Sequence, residues 1–376
     1  MISVFRRARH SLHGLMTAPT TPPRTPGWPT VLLALLAFVA VPLLPTALQV
    51  VLPVTLTVLM VVALIAVCGL IGWWKGGSGL FAVLWLGVAV VMMVPLMMTP
   101  LVLFVEHGSL VFTIGWVLLL GAAFGIASLL SPWQAFFRRA LSAVGIAMVA
   151  AFAMVIMVPD GVATVRAMMT AEYSDRTEWV IAVVNRLVNT AEKMTADFDR
   201  QVNTPEGRAM IKKHSALDSL STLRMKQSES QLRSFAKQAA TLVPAFLALE
   251  SLAALALAWV VYHRIASTPI GPALGAWRDF RFNDQLIWGL AVGATIAFLP
   301  AFADGKNAGL NLLLFFGTLY LLRGVGVLSW VTRGRGAMAI LIIATAFAPV
   351  SIAALALGVG VGDTWMDWRS RIASAT

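Results

Sequence analysis

Two ionisable residues lie inside stretches that are otherwise apolar, and they are the first candidates for chemistry. Glu250 stands midway through "LVPAFLALESLAALALAWVVYHR" (Leu242–Arg264), and Arg323 lies within "NLLLFFGTLYLLRGVGVLSW" (Asn311–Trp330). A charge held in hydrocarbon costs a few kcal/mol or more, so such a residue pairs with another or faces a cavity. A carboxylate there can hold a proton or a cation, and a guanidinium can receive an anion. Counted from the expected ends of their spans, the two lie at depths about 5 Å apart, which long side chains can bridge. Two readings therefore compete: an intramembrane polar pair that is neutralised within the bundle, with a protonated Glu250 as its variant, and a pair lining a ligand or ion path.

Other site chemistry has no support in the sequence. Zinc-ligand spacings and a nucleophile elbow are missing, and no catalytic motif is found. The glycine-rich "KGGSGL" (Lys75–Leu80) lacks the Gly-Lys-Ser/Thr order of a phosphate loop. His10, His13, His107, His214 and His263 all fall at expected span ends or in polar segments, away from haem-ligating positions. The single cysteine, Cys68, excludes an intramolecular disulfide. No metal, cofactor or enzymatic activity is expected.

The elements that must position Glu250 and Arg323 are membrane helices. The 376 residues are 59% hydrophobic and 12% charged, and their mean hydropathy is +0.83, outside the range of ordinary soluble domains. Runs of roughly 20 apolar residues without strand-like alternation specify an all-α polytopic transmembrane bundle. Nine apolar segments are expected: Thr30–Leu48, Gln49–Trp74, Leu80–Phe104, Leu110–Ser131, Ala140–Val158, Gln238–Tyr262, Gln285–Ala303, Ala308–Thr332 and Ala337–Val361. Only Pro42, Pro45 and Pro53 separate the first two, so a broken span plus a re-entrant piece would give eight.

In the nine-span arrangement, twelve Lys and Arg of the tails and short connections fall on the N-terminal side against three on the other. That bias places the N-terminus in the cytoplasm and the C-terminus outside. The net charge of +11 follows from the same distribution and is no sign of nucleic-acid binding. The expected organisation is a basic, Pro-rich cytoplasmic tail (1–29), N-terminal spans (30–158), a polar insert (159–237), C-terminal spans (238–361) and a tail (362–376).

The insert carries 22 of the 45 charged residues. Val180, Val183, Val184, Leu187, Val188, Ala191, Met194 and Phe198 form one apolar stripe at helical spacing. A second helix is expected from Thr204-Pro205-Glu206, with Thr204 as N-cap and Pro205 at the first helical position. Leu217, Leu220, Leu223, Leu232 and Phe235 line its face. The pattern predicts an extracytoplasmic amphipathic helical hairpin. Within the spans, Gly121 and Gly125 have the spacing for close helix packing, and Met92, Met93, Met97 and Met98 form an adaptable apolar cluster.

Three strings in the last third carry a resemblance: "PALGAWRDFRFNDQLIWGL" (Pro272–Leu290), "NLLLFFGTLYLLRGVGVL" (Asn311–Leu328) and "LGVGVGDTWMDWRSR" (Leu357–Arg371). They resemble the bacterial YybS-like family of multispanning membrane proteins, over roughly the C-terminal 140 residues. That family is grouped by distant similarity with the substrate-binding S components of energy-coupling-factor transporters. The resemblance implies capture of a small solute by a helical bundle in the bacterial cytoplasmic membrane. The chain departs from that picture in lacking an Ala-xxx-Ala docking surface in its first span and in carrying the long insert.

Read physically, the same strings are interface anchors. Trp277, Phe280 and Phe282 suit the headgroup region, with Arg278 and Arg281 facing anionic lipid. Trp365 and Trp368 are expected at the opposite interface, beside the tail carboxylates Asp363 and Asp367, of which Asp363 can cap a short helix. The function expected is small-solute binding or transport. The competing class is a scaffold whose external helices bind an envelope partner. The lipid bilayer, a small-molecule ligand and an envelope or transporter-subunit protein are the partners these readings admit.

Overall fold

The computed structural model describes residues 27–40, 51–98, 108–201, 227, 229–331, 348–368 and 371. The expectations for the N-terminal tail, the junction 41–50, the Thr204-Pro205-Glu206 cap, Leu217, Leu220, Leu223 and residues 332–347 lie outside them. Among the described residues the chain is helical, without strands. The helices are α1 Trp28–Ala40, α2 Thr57–Trp74, α3 Gly79–Met98, α4 Gly108–Leu130, α5 Phe136–Met157, α6 Gly161–Gln201, α7 Val243–Ile265, α8 Ile287–Phe298, α9 Lys306–Val331 and α10 Pro349–Met366. Six of the described helical stretches are long and apolar enough to cross a membrane, and three apolar ones are shorter. Exposed large side chains such as Leu33, Val91, Val149, Phe152 and Val350 cover their outer surfaces. These are the properties of an integral, multi-pass membrane protein.

Helix α7 is the axis of the bundle. It packs on α1, α2, α5 and α9, while α2 also packs on α3 and α4, and α9 on α8 and α10. Leu255, Ala258 and Trp259 of α7 are fully buried in a core shared with Leu64 and Cys68 of α2, Leu120 and Phe124 of α4, and Ala140 and Ala143 of α5. Gly121 faces Val67 of α2, so the small-residue spacing serves packing within the bundle. Met93 packs on the same core, whereas Met92 is exposed.

The α9–α10 crossing depends on two glycines. A Cβ on Gly324 would land on the Ala356 carbonyl oxygen, and one on Gly360 on the carbonyl oxygen of Tyr320. The two backbones touch there, which only residues without side chains permit.

The polar insert begins as the long helix α6, and residues 229–241 return as a helix that runs into α7. Met169, Tyr173 and Val180 of α6 pack on Ala236 and Ala239, with Leu232 alongside. Arg233 pairs with Glu178, and Asn185 Nδ2 donates to Glu229 Oε1 at 3.1 Å. The buried face is thus earlier in the helix than the apolar stripe predicts: Val180 is buried, but Val184, Leu187 and Met194 are exposed.

Candidate functional site

The break before α2 is where the chain's polar chemistry concentrates. Pro53 has no N–H and disfavours helical geometry at Leu52, so the backbone at 52–56 leaves the helix and frees its polar groups. Buried backbone groups must find partners, and here side chains from two other helices supply them. Tyr173 Oη donates to the Val51 carbonyl at 3.2 Å. Arg176 donates from Nη1 to the Leu52 carbonyl at 2.5 Å and from Nη2 to the Pro53 carbonyl at 3.4 Å. Its Nε is held by Glu172 at 2.7 Å, one turn earlier in α6.

Glu250 completes this clamp from α7. Its Oε2 accepts the Val54 N–H at 3.1 Å, and the residue is 4% exposed. The other oxygen, Oε1, is buried with no hydrogen-bond partner among the described residues. The next residue, Ser251, accepts from Trp116 Nε1 at 2.9 Å and donates to the Leu247 carbonyl at 2.6 Å, fixing this turn of α7 against α4. Thr57 Oγ1 donates to the Phe38 carbonyl and ties α1 to the same place. Burial pushes the Tyr173 phenol well above its usual range, with Arg176 opposing, so the hydroxyl stays a neutral donor.

Arg323 belongs to a different cluster, which corrects the expected pairing with Glu250. Its Nε donates to Asp363 Oδ2 at 2.9 Å, Nη1 to Asp284 Oδ1 at 2.6 Å and Nη2 to the Asp363 carbonyl at 3.2 Å. Its guanidinium carbon is 5.4 Å from the centre of the Phe282 ring. The reason is helix register. Asn311 of α9 accepts the Ala245 N–H at 2.9 Å and so pins α9 to α7. Glu250 lies five residues beyond that anchor and Arg323 twelve, an axial offset of about 10 Å.

Asp363 is therefore no cap. It sits inside α10, 1% exposed, as the buried partner of Arg323. Asp367 is the residue that ends α10, in left-handed conformation at φ 40°. Arg281 Nη2 donates to Asp367 Oδ1 at 2.6 Å, so the two strings expected at opposite interfaces meet at one place. The short α8 starts level with Tyr320 and Arg323, whose partners Asp284 O and Asp284 Oδ1 precede it, and α10 ends beside that start.

The expected aromatic anchors divide. Trp277 and Trp365 are exposed, at 50% and 68%. Phe280 and Phe282 instead pack inward on Phe137, with ring centres 5.3 and 5.6 Å away. Trp368 is half-buried. Arg278 lies in the Trp277–Asp279 turn, and its side chain is outside the described ones.

Sequence reasoning missed Arg176, Tyr173 and Asp284. Arg176 reads as an ordinary i, i+4 partner of Glu172 on a polar helix, and Pro53 was the one signal that backbone groups nearby would need donors. Among the described residues no group of three or more His, Cys, Asp or Glu could hold a metal. The chain matches no protein-family model, no curated protein and no solved structure.

Proposed function

We propose that the protein binds or transports a small solute in a bacterial cytoplasmic membrane, and that Glu250 is the residue that couples the bound state to the external helices. The observation that carries this reading is the half-satisfied carboxylate at the helix break. A buried Glu250 with one oxygen on Val54 and the other without a partner among the described residues can exchange a proton or meet a ligand group at little structural cost. Broken helices of this kind form solute and ion sites in many transporters, because the freed backbone groups are available there. The resemblance of the last third to the YybS-like family supports the same class.

In this reading α6 and residues 229–237 lie outside the membrane. Arg176 and Tyr173 then connect the external helix directly to the segment that Glu250 holds. A change at Glu250 alters its grip on Val54 and is felt by α6 through the Leu52 and Pro53 carbonyls. The scaffold reading keeps one observation of its own: Trp179, Leu187 and Met194 are exposed on α6, where an envelope protein could dock.

Native mass spectrometry of the purified protein, wild type beside Glu250→Gln, distinguishes the two. Gln keeps an acceptor for Val54 but cannot ionise. The solute reading predicts a discrete co-purifying mass that Glu250→Gln loses while remaining folded. Identical, ligand-free spectra of both forms, together with loss of an envelope partner when residues 160–233 are replaced by a short linker, would establish the scaffold instead.

A further inference from the structure

At the other end of α7 lies a buried cation with no hydrogen-bond or carboxylate partner among the described residues. Arg139, in the first turn of α5, is 1% exposed. Its Nε, Nη1 and Nη2 have no hydrogen-bond partner among the described residues. The guanidinium carbon lies 4.4 Å from the centre of the Trp259 ring, a stacking that offsets part of the desolvation of the charge. Stacking satisfies none of its N–H donors, which have no acceptor among the described residues, and burying a charge without hydrogen bonds costs more than stacking returns.

No carboxylate partners the guanidinium among the described residues. His263 is one turn from Trp259, with ring centres 4.4 Å apart. Its Nδ1 lies 3.0 Å from the Trp259 carbonyl and its Nε2 3.3 Å from the Gly271 carbonyl. Whichever ring nitrogen carries the proton, its N–H reaches one of these two carbonyls. Residues 1–26 and 333–336, which the charge bias assigns to this end, contain no Asp or Glu.

A loop closes over the guanidinium. Residues 266–276 are non-helical and fold back on the last turns of α7: Trp259 Nε1 donates to the Pro272 carbonyl, and Tyr262 Oη accepts the Ile270 N–H. Gly271, at φ 67°, lies so close that a Cβ there would be 3.0 Å from Arg139 Nη2. The backbone roof is held by a few side-chain contacts, whereas the floor of Phe136, Phe124 and Trp259 is rigid core.

We propose that Arg139 is the anchor of an oxyanion site that takes a phosphate group, admitted when the 266–276 loop lifts, with Trp259 as the platform and His263 as a second donor. A guanidinium fork matches two phosphate oxygens. The phosphate can belong to an anionic lipid headgroup or to a free phosphorylated solute. The site is independent of the Glu250 cluster.

The test is the unfolding midpoint of the full-length protein in neutral detergent, at constant ionic strength. It is titrated separately with inorganic phosphate, with short-chain phosphatidylglycerol and with short-chain phosphatidylcholine as control. The wild type is expected to rise saturably with phosphatidylglycerol alone, which names a lipid headgroup, or with both phosphates, which names a free one. Arg139→Gln should weaken that response about tenfold or more, while the exposed neighbour change Arg138→Gln leaves it unaltered. If Arg139→Gln fails to fold, Arg139→Lys keeps the charge but loses the fork and should show a reduced response. A wild type that responds to neither phosphate beyond the control, or an Arg139 variant that responds like the wild type, would overturn the proposal.

Discussion

Arg323 shows how a single intramembrane charge is made tolerable. It spends its donors on two carboxylates and a carbonyl, and one of those carboxylates, Asp363, is as buried as the arginine. Removing one partner of a buried pair strands the other. Arg323→Met is therefore expected to cost about 3–5 kcal/mol, read as a lowered unfolding midpoint in detergent. Arg323→Met combined with Asp363→Leu should recover most of that loss, because the remaining partner Asp284 is 58% exposed and can turn to solvent or headgroups. If the double variant is no more stable than the single one, burial of Asp363 is not the source of the cost. At this scale the sequence identified which charges are unusual. It could not say which of them meet, because depth counted from the ends of apolar runs does not register one helix against another.

Elements are held in register by small residues and side-chain bonds more than by amphipathic pattern. The α9–α10 crossing depends on Gly324 and Gly360, and no apolar periodicity reveals that these two glycines face each other. Gly324→Ala forces a Cβ onto the Ala356 carbonyl and should separate the helices, with faster amide exchange along α10. Gly358→Ala, where a Cβ meets nothing within 4 Å, should leave exchange in α10 unchanged. Equal effects of the two changes would mean that helix propensity, not close approach, governs this region. Helix existence was legible from runs of apolar residues. The break at 52–56 was legible only as Pro53, since its partners come from α6 and α7, more than a hundred residues away.

Across the whole molecule, α7 organises three polar arrangements along the bundle: the Glu250 clamp near its start, the Arg323 cluster reached through α9, and Arg139 against its last turns. Composition alone announces a membrane bundle. The link between its interior and the long helix α6 does not show in composition, because Arg176 and Tyr173 look like ordinary residues of a polar helix until the fold brings them to the broken backbone. Glu250 and Arg176 jointly hold that backbone. Amide hydrogen exchange of residues 51–57, in lipid nanodiscs, tests this most directly. Slow exchange is expected in the wild type, and exchange about tenfold faster in both Glu250→Leu and Arg176→Gln, the loss of about one buried hydrogen bond, with α2 still protected. Fast exchange in the wild type, or no change in either variant, would contradict it.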